Sequence, residues 1–209
     1  MYLIKNSYVF LNLIINKFLF NRLMMKAKKG TSLISGPHQS HQDCIKKIFI
    51  TQLSDIFSIK HCLLEYLPIF AANVSRPILK QAIQENIEEI NIQLNRIKEI
   101  FNLIGEKYDT QECDEVKAIT HEIIKNVNIA TTSNIETELG VLFHLVALQS
   151  MEITSYSILY ELGLSMHNSA LLLLIRQNLD IAKDNKELYE LMIHEYVNSG
   201  VIKKGHKSL

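Results

Sequence analysis

The chain has 209 residues, 47% hydrophobic and 21% charged, enough to enclose one core and carry a tail. Basic and acidic residues balance at 22 each, which removes nucleic acid and anionic membrane surfaces as general electrostatic partners. Seven Gly, three Pro and no Trp, set among many Leu, Ile, Glu, Lys and Asn, predict long helices.

The opening "MYLIKNSYVFLNLIINKFLFNRLMM" is apolar, but Lys5, Lys17 and Arg22 interrupt it. Its uncharged run from Asn6 to Asn16 is shorter than the roughly 20 residues a bilayer span needs. It also lacks a small-x-small cleavage site. An amphipathic surface helix, a poor signal peptide and upstream sequence included with the chain all remain open. The last is favoured, with residues 1–24 outside the native protein and Met24 or Met25 as the start. "KKGTSLISGPHQSHQD" then reads as a linker, so residues 1–42 form an extension.

Helical periodicity starts near Asp43. The first helix is expected from about Cys44 to Val74, with a stripe through Phe49, Leu53, Phe57, Lys60, Leu64 and Leu67. "VSRP" stops it, and Pro77 opens a second helix at a first-turn position. That helix runs to Ile104, where Gly105 signals its end. A short helix is expected over Gln111 to Val127, before "ATTSN" breaks the chain. A third long helix then reaches Leu162, ended by Gly163. A fourth covers Met166 to Asn198, capped by Ser165, and residues 199–209 form a solvated tail. No strand pattern competes. The expected fold is all-α, a ferritin-like four-helix bundle over residues 43–198 with a short extra helix in its one long crossover.

Cys44, Cys62 and Cys113 are odd in number, widely spaced and without a Cys-x-x-Cys pair. They read as reduced thiols in a cytoplasmic protein, not as a zinc site.

Each long helix carries polar residues inside its apolar stripe. The first has Lys60; the second Asn86, Glu89 and Gln93; the third Gln149 and Glu152; the fourth Asn178 and Asn185. Such residues at comparable depth predict one polar layer across the bundle. Inward carboxylates on several helices are how a bundle holds two iron or manganese ions, with a Glu from each of two helices and a Glu-x-x-His from each of the others. No histidine here has a Glu three residues before it. The layer offers two carboxylates, Glu89 and Glu152, and one ammonium. Those two are the ligands to expect if metal is bound. Tyr156, Tyr160 and Tyr189 read as core aromatics with a polar tip, and His144 as a core-edge histidine.

From Ile45 to about Met192 the residues resemble the YciE/YciF-type ferritin-like proteins of bacteria, a stress-associated family. The family's first-helix pattern falls on Leu53, Asp55, Phe57, Ile59, Lys60, Cys62, Leu63 and Leu67-Pro68. Its second-helix pattern His-x-x-Glu-Thr-x-x-Gln falls on Asn86, Glu89, Ile90 and Gln93. The third-helix pattern Glu-His-Tyr-Glu-Ile-x-x-Tyr falls on Gln149, Ser150, Met151, Glu152, Ile153 and Tyr156. Fourth-helix Leu-x-Glu-Glu-Lys lands on Leu179, Ile181, Ala182 and Lys183. Polar positions of the family's metal side are therefore changed at Lys60, Asn86, Gln149, Ile181 and Ala182.

The resemblance implies a bundle that keeps its scaffold and has lost its metal: a non-enzymatic, stress-associated protein with no cofactor and no catalytic residues. The alternative is a working iron- or manganese-binding protein with peroxide or oxygen chemistry. A partner-binding adaptor is a third reading. Family members look dimeric, which implies a homodimer, though no helix face here is apolar enough to fix one. Lys60 has two readings: a fixed cation replacing metal between Glu89 and Glu152, or an edge lysine whose head reaches water.

Overall fold

The computed structural model describes residues 41–108 and 134–205, which form four α-helices. Helix α1 spans His41–Asn73, α2 Pro77–Leu103, α3 Asn134–Leu164 and α4 Ser169–Gly205. They belong to the unit Gln42–Leu209. The predicted short helix over 111–127 lies outside the described residues, as does nearly all of the N-terminal extension. No helix among the described residues is long and apolar enough to cross a membrane.

The helix ends follow local chemistry. Arg76 sits extended at the N-cap of α2 and Pro77 takes the first turn, where its missing N–H costs nothing. At the other end Gly105 takes φ +70°, a conformation that favours glycine. Its N–H reaches the Asn102 carbonyl at 3.1 Å, and the Glu106 N–H reaches that of Phe101 at 3.0 Å.

The α3–α4 turn differs from the sequence expectation. Helix α3 runs through Gly163 to Leu164, and the cap of α4 is Asn168, not Ser165. The Asn168 Oδ1 accepts the Leu171 N–H at 3.1 Å, while the Ser165 hydroxyl donates backwards to the Leu162 carbonyl at 2.7 Å. Packing is tight at Gly163. A Cβ there would lie 3.0 Å from Leu171 Cδ2 and 3.1 Å from Leu172 Cδ2, so a larger residue needs both leucine side chains at the start of α4 to shift. Helix α4 also continues to Gly205, past its predicted end at Asn198.

On α1 the buried rung is Leu63, with Leu64 only half-buried. Phe49, Leu53, Phe57, Leu67 and Phe70 are buried with it, each at 0–1% exposure. Near one end of the molecule the Phe57 ring stands edge-on to Phe101 of α2, with centroids 6.2 Å apart.

Topology follows from one contact. The Glu138 carboxylate, in the second turn of α3, binds Ser75 and Arg76 just before α2, and Tyr196 near the end of α4. The starts of α2 and α3 therefore share one end of the bundle. These two helices run parallel, so the end of α2 and the start of α3 lie at opposite ends of the bundle, ~40 Å apart at 1.5 Å per residue. That is a four-helix bundle with one long crossover, the ferritin-like arrangement.

Candidate functional site: a buried ion pair in the bundle core

Lys60 is 1% exposed, among the largest fully buried side chains of the core. Its place follows from the stripe: Leu53, Phe57, Lys60, Leu63 and Leu67 recur at three- to four-residue steps, so all face inward. The Nζ donates to Glu152 Oε2 of α3 at 2.5 Å and to Gln93 Oε1 of α2 at 2.6 Å. A stem-on-surface lysine with a solvated head is thereby ruled out.

Glu89 is placed differently from expectation. It is half-buried, and its Oε2 accepts the Asn185 amide of α4 at 2.5 Å. It acts on Lys60 through space, while the second direct partner of the ammonium is Gln93. A glutamine on the inward face of α2, one turn beyond Glu89, can turn its carbonyl oxygen to the ammonium. That leaves Glu89 to the amide of α4.

Gln93 also joins the helices sideways. Its Nε2 donates to the Asn178 carbonyl at 3.2 Å, and Asn178 Nδ2 returns to the Gln93 carbonyl at 3.3 Å. Asn178 further meets the Tyr156 hydroxyl at 3.5 Å and accepts from Arg96 at 3.3 Å. Reading the stripes finds Asn178 and Tyr156 but misses Arg96, whose half-buried stem sits beside the apolar face. Asn86 and Gln149 are both 2% exposed, on the same inward faces as Glu89 and Glu152.

Burial moves the proton affinities. It pulls the Lys60 ammonium below its usual 10.5, against the opposing pull of Glu152 and then Glu89. It raises the Tyr156 phenol well above 10, and the Glu152 charge adds to this. Tyr189 is raised too, by burial first and then by Glu89, Glu152 and Glu85. Both phenols stay protonated at neutral pH. Among the described residues no three His, Cys, Asp or Glu side chains gather as metal donors.

A family described as "Domain of unknown function (DUF892)" matches residues 45–201. The chain belongs to this family. Two solved structures share its fold. The E. coli stress protein YciF is 23% identical, with a TM-score of 0.69 over 74% of this chain and 97% of its own. YcfI from Rhodopseudomonas palustris is 16% identical, with a TM-score of 0.66 over 76% of this chain and 98% of its own. No curated protein matches the chain. The DUF892 match spans the four described helices and agrees with the YciF-type resemblance of the residues.

A second buried carboxylate escaped the sequence reading. Glu138 is 2% exposed, at the clasp where α1 hands over to α2. One oxygen accepts the Ser75 N–H at 2.7 Å, the Ser75 hydroxyl at 2.7 Å and the Arg76 N–H at 2.8 Å. The other accepts the Tyr196 hydroxyl at 2.6 Å, with Arg76 Nε at 3.7 Å. The Arg76 guanidinium lies 3.6 Å above the Tyr196 ring. Glu138 thus ties the turn before α2 to another helix. The signal was present: Glu138 stands three and four residues before Val141 and Leu142, on the stripe that carries Leu145 and Glu152.

Proposed function

We propose that this DUF892 protein is a non-enzymatic, stress-associated bundle of the kind YciF represents, in which Lys60 stands where ferritin-like bundles hold metal. The observation that carries this reading is the ammonium seated on Glu152 and Gln93 in the centre of the core. A dinuclear iron or manganese centre needs carboxylates from all four helices and histidines beside two of them. Here Lys60 takes one oxygen of Glu152, Asn185 takes one of Glu89, and Asn86, Gln149 and Ala182 supply no anion. The donor set does not fit such a centre. A fixed +1 charge compensates the carboxylates in its stead and ties α1 to α2 and α3.

Balanced charge and the absence of a membrane-crossing helix among the described residues fit a protein that binds neither nucleic acid nor bilayer. Elemental analysis of protein from cells grown with added iron and manganese tests the reading. Well below one ion per chain is expected. Two ions per chain, with oxygen- or peroxide-dependent oxidation of ferrous iron, would replace it with the alternative of a working metal protein.

A further inference from the structure

Three side-chain oxygens at one depth of the core have no hydrogen-bond partner among the described residues: Gln149 Oε1, Glu152 Oε1 and the Tyr189 hydroxyl. Their side chains are 0–2% exposed, so bulk water does not satisfy them. Leaving such groups bare is unfavourable, most of all for a carboxylate.

The helix register brings them together. The Asn178–Tyr156 contact pairs antiparallel α4 with α3. About two turns further along α4 is Asn185, and about two turns back along α3 is Gln149. These two therefore face each other. Tyr189 follows one turn after Asn185, and a helical side chain leans toward the N-terminus of its own helix. Its hydroxyl is carried back toward the Gln149 level. Gln149 and Glu152 are three residues apart, on one face of α3. After burial, the charges of Glu89, Glu152 and Glu85 act on the Tyr189 hydroxyl.

We propose that one internal water molecule is bound among Gln149, Glu152 and Tyr189. The three groups specify their ligand. The amide oxygen and the carboxylate oxygen each need a donated hydrogen, and the phenol needs an acceptor for its proton. Water supplies two hydrogens and a lone pair at once. A bare cation accepts nothing from the phenol O–H. Ammonium donates only. An anion is repelled by Glu152 and Glu89. The site extends the Lys60–Glu152 pair from α3 to Tyr189 on α4, so that the layer closes on all four helices. The inference rests on the metal-free reading of the layer, because a metal ion on Glu152 would claim the same oxygen.

A high-resolution crystal structure with anomalous data at the manganese edge, from crystals soaked in manganese, tests both. Expected is a peak without anomalous signal, within hydrogen-bond distance of all three oxygens. An anomalous peak there overturns the water and the metal-free reading together. The three oxygens bonded directly to one another or to other side chains, with no peak, overturns the water alone. In solution, water-¹⁷O relaxation dispersion should count one slowly exchanging water fewer in Tyr189→Phe than in the wild type. An equal count in a folded Tyr189→Phe overturns the proposal.

Discussion

Helix α3 presents two glutamates to the core, Glu138 and Glu152, about four turns or ~21 Å apart on one face. Both are 2% exposed. Their surroundings differ. Glu138 accepts two backbone N–H groups and two hydroxyls, with a half-exposed arginine nearby. Glu152 has one strong partner, an ammonium as buried as itself. The clasp distributes its compensation over neutral donors that the fold supplies anyway. The central layer concentrates it in one charge. The first arrangement tolerates the loss of its cation; the second does not, because what remains is an unpaired charge out of reach of water.

Removing the cation from each site draws this contrast most sharply. Lys60→Met strands Glu152 beside Glu89 and should cost about 3–5 kcal/mol, the usual result of breaking a buried pair on one side. Arg76→Met leaves Glu138 with all four hydrogen bonds, and the guanidinium is partly solvated and screened. Its loss should be about 1 kcal/mol or less. Urea unfolding of the two variants measures both. Equal losses would show that Lys60 contributes no more than a surface cation, and the account of the central layer would fail.

His144 lies on α3 between the two glutamates and responds to acid for a third reason. Burial alone holds its imidazole at about 4, down from the ordinary 6.5. Between those values the unfolded chain binds the proton and the folded chain does not, so stability falls as pH drops from 6.5 toward 4. At 1.36 kcal/mol per pH unit the full window removes about 3 kcal/mol. In His144→Leu most of this slope should disappear; His61, which burial and then Lys98 also lower, keeps a smaller part, and the Glu138 effect, at lower pH, remains. The same slope in wild type and His144→Leu would assign the acid sensitivity elsewhere.

How far each region could be read in advance depends on what the reading used. Lys60, Gln93 and Glu152 are legible because a polar residue breaks an apolar stripe on each of three helices. Periodicity alone then puts them in the core. It does not say which acceptor the ammonium chooses. Glu89 and Gln93 are one turn apart, and their sorting between Lys60 and Asn185 depends on side-chain reach across the bundle. Glu138 went unread because a glutamate near a helix start is ordinarily a solvated group favoured by the helix dipole. Its role comes from Ser75, Arg76 and Tyr196, remote in sequence and joined only by the parallel placement of α2 and α3. The Asn168 cap was missed in favour of Ser165 because both are good caps. His167 at φ 53° delays the start of α4 past the serine.

Removal of one hydroxyl tests how the clasp holds its charge. Burial by itself would raise the Glu138 carboxyl. The Tyr196 and Ser75 hydroxyls and the backbone N–H groups of Arg76 and Ser75 outweigh it and hold the carboxyl below its usual 4.5. A depressed folded value means that stability is complete above 4.5 and is lost as pH falls through the folded value. Tyr196→Phe keeps the ring beneath Arg76 and removes one charge-assisted donor. At neutral pH it should cost about 1.5 kcal/mol, the low end for a hydrogen bond to a charged group. The Glu138 titration, followed by carboxyl ¹³C shifts, should move up toward 4.5, so the acid unfolding midpoint rises with it. Below the wild-type Glu138 value the carboxyl is neutral in both proteins, and their stabilities should converge. A variant that loses the same free energy at every pH would mean that Tyr196 acts through packing alone. Glu138 would then owe its ionised state to the backbone N–H groups and Ser75. The two glutamates of α3 would still differ, but the clasp would rest on fewer donors than its geometry displays.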